Sequence, residues 1–199
     1  MSGGTPELNA AGVAKGTGGA GATFAADAAG GSVLTGGKPV FYGFAPVIDK
    51  NSRLLILGSF PSVKSREVGF YYGNPQNRFW KTLEKATGES VPPTPKLKTE
   101  YLLKHKIALW DVIERCAISG SSDADITGDN SQAADILSVL TIPEKLAAVI
   151  CNGKKAYSVC TEVCRGQDVP IIYLSSTSPA NPRFLESEWI RVIKKYLTE

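Results

Sequence analysis

RLLILGSFPSVKSREVGFYYGNPQNRFW (residues 53–80) is the stretch that decides the fold. It opens on a continuous apolar run at residues 54–57. Short unbroken runs of this kind suit a strand covered on both faces, the usual state of strands in a parallel sheet. The run breaks at Gly58-Ser59-Phe60-Pro61-Ser62, where glycine permits close backbone approach to a ligand and proline stiffens the turn. A loop with three adjacent aromatics, Phe70, Tyr71 and Tyr72, follows. Asn74 then reads as a helix N-cap, with Pro75 at the first helical position, where a missing N–H costs nothing. Phe79, Leu83 and Ala86 recur at helical spacing, and Gly88 offers a stop. Strand, loop and helix in this order form a βα unit, and open α/β sheets bind ligands at the carboxyl ends of their strands.

Outward from this unit the alternation continues. Further strand-like runs lie at residues 107–112, 147–151 and Ile171–Leu174. Helical segments are expected at 96–104, 131–140 and 154–164, with a last helix over 183–197. That helix carries Leu185, Trp189, Val192, Ile193 and Tyr196 on one face, acidic residues in its first turn and Lys194 and Lys195 in its last, as the helix dipole favours. Repeated β-α units joined by short connections predict an α/β protein, with a parallel sheet covered by helices on both faces. Residues 39–199 are the expected globular domain. Residues 1–38, rich in Gly, Ala, Thr and Ser without sustained periodicity, read as a flexible extension that buries too little apolar surface to order itself.

Composition sets softer limits. At 199 residues and 43% hydrophobic content the chain is long enough for one domain with a real core. A formal net charge of +3 permits a polyanionic partner without demanding one. The four cysteines contain no CxxC pair, do not resemble an iron–sulfur motif in their spacing, and read as reduced structural thiols. No stretch approaches the ~20 apolar residues of a membrane span, and no secretory signal is legible. A cytoplasmic protein is expected.

Three places carry candidate chemistry. Adjacent aromatics in a loop cannot all face one core, so at least one of Phe70, Tyr71 and Tyr72 is free to stack on a planar ligand, an interaction worth about 1–3 kcal/mol per base. Tyr72, whose hydroxyl needs a partner, is the best placed. Asn77 falls in the first turn of the expected helix. There it either caps locally or presents a donor and an acceptor side by side, which suits a base edge or a held water. The loop Ser176-Thr177-Ser178-Pro179-Ala180-Asn181 has small hydroxyl residues suited to phosphate oxygens, a plain turn being the alternative. The single histidine, His105, sits in a Lys-rich helical stretch and reads as a helix residue rather than a base. Serine–histidine hydrolysis and metal chemistry therefore lack their components, and no cofactor or metal is expected.

Six segments, GSFPS (58–62), GFYYGNPQNRFW (69–80), ALWDVI (108–113), GSSD (120–123), CNGKKAY (151–157) and STSPAN (176–181), occur in an order that resembles the uracil-DNA glycosylase superfamily. The resemblance is nearest its hypoxanthine (deoxyinosine) DNA glycosylase branch and spans residues 41–183. It implies a three-layer α/β/α sandwich around a four-stranded parallel sheet and a base flipped out of the duplex. It also implies that Asn77, in the NxFW motif, is the functional amide and that Tyr72 stacks on the base. Ser59, Phe60 and Pro61 would flank the base, Phe60 standing where many members carry an acid or amide. Ser62 and the residues Ser176, Thr177, Ser178, Pro179, Ala180 and Asn181 would meet the DNA. Ala180 stands near the wedging residue of relatives, and Asn74 where a His is expected.

The implied activity is that of a monofunctional glycosylase in base excision repair, hydrolysing the bond to a deaminated base: hypoxanthine first, uracil second. No lysine is placed for a Schiff base, so water is the nucleophile. Backbone amides around residues 59–61 and a helix N-terminus would favour the negative charge of the departing base. Asn77 either holds the water or binds the base. The implied partner is double- or single-stranded DNA containing a deaminated base, acted on by a monomer. A non-catalytic module of the same fold that binds damaged or single-stranded DNA, and a hydrolase of free nucleosides, are the competing readings.

Overall fold

The computed structural model describes residues 33–35, 38–120 and 126–198. Most of the expected extension, residues 1–38, lies outside them, except that Val33–Thr35 form a strand, β1, and Lys38 opens the next. In chain order the elements are β1, β2 (Lys38–Tyr42), β3 (Leu54–Gly58), α1 (Val63–Val68), α2 (Phe79–Thr87), α3 (Pro95–Lys104), β4 (Ile107–Asp111) and β5 (Ile113–Ala117). They continue with β6 (Ser131–Ala133), α4 (Ile136–Leu140), β7 (Ala148–Asn152), α5 (Lys154–Val163), β8 (Ile171–Leu174) and α6 (Glu186–Thr198). Among the described residues no helix is long and apolar enough to cross a membrane.

The expected parallel sheet is present, with strand order β4-β3-β7-β8. Ile56 of β3 lies level with Leu109 of β4 on one side and Ile150 of β7 on the other. Because successive side chains of a strand point to opposite faces, the continuous apolar runs serve two cores at once. Leu54 and Ile56 pack with Phe79 and Leu83 of α2, Leu102 of α3 and Trp189 and Ile193 of α6. Leu55 and Leu57 pack with Ile136 and Val139 of α4, Ala156 and Cys160 of α5, and Cys116 of β5. The result is the three-layer arrangement, with β3 at its centre. All four cysteines are free and buried. Burial, followed by the neighbouring Cys160, pushes the Cys164 thiol up to about 12, so it stays protonated.

Several boundaries differ from those the sequence suggests. The run at 107–112 is not one strand with a plain end. After Val112 the chain leaves the parallel sheet, and β5 joins an antiparallel sheet of order β1-β2-β5-β6. The segment 131–140 is not one helix. Its first residues pair with β5, and only after Asp135, whose carboxylate accepts from the Ser138 N–H at 3.2 Å, does α4 begin. The helix expected from Asn74 starts at Phe79. Asn74 Oδ1 accepts from the Gln76 N–H at 2.9 Å and Asn77 Oδ1 from the Phe79 N–H at 3.0 Å, so each amide closes a local turn in place of the first helical turn. Its stop at Gly88, in the left-handed conformation with φ 75°, is as expected. The last helix starts at Glu186 rather than at residue 183, and Leu185 is exposed rather than on the buried face.

In the parallel sheet the strand order reverses between β3 and β7: the chain runs from β3 to β4 on one side, and from β7 to β8 on the other. A crevice opens at such a reversal beyond the carboxyl ends of the two strands, here beyond Gly58 and Asn152. Trp189 ties the element behind this crevice in place, being fully buried between α6 and α2 with its Nε1–H donating to Ser175 O at 2.8 Å. Trp189→Ala is expected to cost about 3–5 kcal/mol, read as a lower urea midpoint with an unchanged slope.

Candidate active site at the strand ends

A cleft of about 500 Å³ lies at the reversal point, and its wall draws on five of the six segments that the sequence singled out; the sixth, GSSD (120–123), lies outside the described residues except for Gly120, which does not line it. Ser59, Phe60, Pro61 and Ser62 form one side. Tyr72 and Asn77 contribute from the aromatic loop, and Ser176, Thr177, Ser178, Ala180 and Asn181 from the loop after β8. Pro179 is the exception: it belongs to that loop without lining the cleft. The structure adds residues to which the sequence assigned no role, chiefly Asp111, Asn152, Tyr71 and Lys154.

Each wall has a local cause. Gly58 ends β3, and a Cβ at this position would collide with Asp111 Oδ1 and meet the Tyr72 hydroxyl at 3.0 Å. Only glycine lets a carboxylate and a phenol converge over the strand end. Ser62 caps α1, its Oγ accepting from the Ser65 N–H at 3.2 Å, and Ser65 Oγ in turn accepts from the Gly73 N–H at 3.1 Å. The turn at Pro61 is held from behind by Arg66, whose guanidinium donates to Pro61 O at 2.7 Å and stacks over the Phe41 ring at 4.1 Å. The main-chain N–H groups of Phe60 and Ser62, two residues of the lining, donate to no group among the described residues.

The three aromatics divide as their positions predict. Phe70 and Tyr71 are core residues. Tyr71 donates to Ala45 O at 2.9 Å, and burial, then the Asp111 carboxylate, hold its phenol well above the ordinary range, so it acts as a donor. Tyr72 is the more exposed of the two tyrosines that line the cleft. Its φ of 50° is a strained value for a bulky residue, and its ring stacks on Phe79 with centroids 3.9 Å apart and planes 22° apart. One ring face is thereby covered by Phe79.

Three amides stand in the cleft, and their hydrogen bonds set them apart. Asn152, only 7% exposed at the end of β7, donates from Nδ2 to the Tyr72 hydroxyl and to Thr177 Oγ1, both at 2.9 Å. Its Oδ1 accepts from the Thr177 N–H at 2.9 Å. Asn181 donates to Ser176 O at 2.8 Å and accepts from the Arg183 N–H at 3.0 Å, closing its own loop. Asn77 spends only its oxygen, on the Phe79 N–H, and its NH₂ group has no partner among the described residues. Asn152 and Asn181 are thus structural, whereas Asn77 offers a donor to the cleft. A signal for Asn152 and Asp111 was present in the sequence: each is a polar residue on the last position of an apolar strand. Lys154 adds an exposed cation to the lining. Among the described residues no group of His, Cys, Asp and Glu is arranged to hold a metal ion. His105 lies away from the cleft at the end of α3, with Nε2 3.1 Å from the Glu89 carboxylate.

Comparison with known proteins agrees with this geometry. Residues 45–197 match the model of the uracil DNA glycosylase superfamily. A hypoxanthine DNA glycosylase from Methanosarcina acetivorans is 38% identical over 156 residues, covering 76% of this chain and 97% of that protein. One of the same description from Methanosarcina barkeri is 35% identical over 157 residues, covering 77% and 98%. Among solved structures, a solution NMR structure of a Methanosarcina acetivorans protein assigned to the uracil DNA glycosylases superimposes with a TM-score of 0.70 at 35% identity. It covers 80% of this chain and 99% of that one.

Removing the Asn152 side chain would leave the buried Thr177 N–H unpaired and release both Tyr72 and Thr177. Asn152→Ala is expected to lower stability by about 1–3 kcal/mol, measured by chemical denaturation.

Proposed function

The chain belongs to the uracil DNA glycosylase superfamily, and from that premise we propose that it excises hypoxanthine, the deaminated form of adenine, from DNA. The observation that carries the reading is the single free amide donor of Asn77, set beside the Tyr72 ring at the mouth of the β3–β7 crevice. The family relation supports the reaction class, and the names of the two Methanosarcina relatives support the base.

A flipped hypoxanthine packs against Tyr72, whose ring rests on Phe79. Asn77 NH₂ donates to an acceptor on the base, such as O6. As the glycosidic bond lengthens, positive charge builds on the sugar and negative charge on the departing base. The main-chain N–H groups of Phe60 and Ser62 and the Asn77 amide then face growing negative charge, where fixed donors are worth most. Water attacks the sugar carbon. The released products are the free base and an abasic site, with the proton from water going to the base. A covalent lysine intermediate forms no part of this scheme. Ser62 and the residues 176–181 hold the DNA backbone around the flipped nucleotide. The protein acts as a monomer in the cytoplasm, within base excision repair.

The test is a panel of labelled single- and double-stranded oligonucleotides carrying hypoxanthine, uracil or xanthine, scored for alkali-labile abasic sites under single-turnover conditions. Hypoxanthine is expected to be released fastest, and Asn77→Ala to slow its release at least ~100-fold. Tight binding of lesion DNA without abasic product would point to a non-catalytic binding module instead. Release from free inosine but not from an oligonucleotide would point to a nucleoside hydrolase.

A further inference from the structure

We propose that Arg78, which does not line the cleft, is the positioning residue that holds the DNA-facing loop 176–181 rigid enough to keep a duplex open. It lies next to Asn77 and immediately before α2, and all its polar contacts with the loop are to main-chain carbonyls. Its backbone N–H and its Nε–H both donate to Thr177 O, at 3.1 and 3.3 Å. Its Nη2 donates to Ser178 O and, at 2.9 Å, to Asn181 O. The guanidinium plane lies over the Phe184 ring at 4.3 Å, so the ring closes the clamp from the far end of the loop. Among the described residues no carboxylate pairs with this cation.

Three features make the clamp a device for acting on DNA rather than ordinary loop packing. First, the contacts bypass side chains. Residues 176–181 spend none of their hydroxyls or side-chain amides on Arg78, while the backbone path is set by a single planar fork, a geometry lysine does not reproduce. Second, Ala180 occupies the tip of the loop and is too small to fill the space of an extruded nucleotide. Holding a duplex open then falls to the shape of the loop backbone, which works only if that backbone does not yield. Third, Arg78 directly follows Asn77, whose amide is fixed by its own bond from the Phe79 N–H, so the guanidinium holds the loop next to the base-binding amide without holding that amide. A guanidinium hydrogen-bonded to carbonyls instead of paired with a carboxylate also keeps its net positive charge for nearby phosphates.

The role rests on the glycosylase reading, and the experiment separates the two. Wild-type protein, Arg78→Lys, Arg78→Ala and Phe184→Leu are compared by amide hydrogen exchange without DNA, and by single-turnover base release from single-stranded and duplex hypoxanthine oligonucleotides. Exchange within residues 176–181 is expected to quicken at least ~10-fold in both arginine variants and by less in Phe184→Leu. Base release from duplex is expected to fall about 10- to 100-fold while release from single strands stays within about threefold. Arg78→Lys, which keeps the charge, is expected to fail to rescue duplex cleavage. If Arg78→Ala does not fold, Arg78→Lys and Phe184→Leu carry the same comparison. Unchanged loop exchange in Arg78→Lys, or equal losses on both substrates, would overturn the proposal. Should wild-type protein release no base from any oligonucleotide, the glycosylase reading fails, while the exchange data still decide whether Arg78 holds the loop.

Discussion

The side chain of Asn152 joins the parts of this site that are far apart in sequence. It stands at the end of β7 and bonds at once to Tyr72, eighty residues before it, and to Thr177, twenty-five residues after it. An amide is the one side chain of this size that can donate twice and accept in the same plane. Buried at the crevice, it converts a strand end into a joint between the aromatic loop and the DNA-facing loop. The strained backbone of Tyr72 is tolerated for the same reason: its ring is held between Phe79 and the Asn152 amide, so the surrounding structure over-determines its position.

Two guanidiniums extend this logic to the walls of the cleft. Arg66 holds the turn at Pro61 and reaches Gly120 O at 3.3 Å, while its flat face rests on Phe41. Arg78 holds the opposite loop and rests on Phe184. Both are satisfied by carbonyls, not carboxylates, and burial pulls the Arg66 guanidinium below its ordinary range without threatening its charge. The cleft lining itself holds one cation, Lys154, and one carboxylate, Asp111, with the two guanidiniums set behind its walls. Attraction for a polyanion depends on where cations stand, and here they flank the cleft.

The parallel sheet was legible because its strands are covered on both faces, and unbroken apolar runs such as residues 54–57 leave little room for another reading. The antiparallel sheet was not. β5 carries a mixed pattern, with Glu114 and Arg115 exposed between Ile113 and Cys116, and β6 is three polar or small residues. Neither announces itself without its partner. Tyr72 and Asn77 were legible from local chemistry: a third aromatic in a loop has nowhere to hide, and an amide after Asn-Pro has a turn to close. Asn152 and Arg78 were less so, because their roles consist of contacts 25 to 103 residues away. A polar residue at the end of an apolar strand was the available hint for Asn152. For Arg78, an arginine among aromatics, nothing in the sequence distinguishes a clamp from a solvated charge.

The late start of α2 shows how local and distant constraints meet. An N-cap at Asn74 with proline next would ordinarily begin a helix there, and its propensities are good. Instead the chain makes two successive amide-closed turns, and Arg78 donates its N–H to Thr177 of another loop. Had the helix begun at Asn74, the Arg78 N–H would have been spent on the Asn74 carbonyl within the helix ladder. Delaying the helix frees that N–H for the DNA-facing loop and leaves the Asn77 oxygen to cap Phe79. The Asn77 NH₂ is then the group left over for a ligand. The departure from simple helix-start rules is thus the feature that makes residues 77 and 78 useful: one turn of helix is given up, and a free donor and a loop clamp take its place.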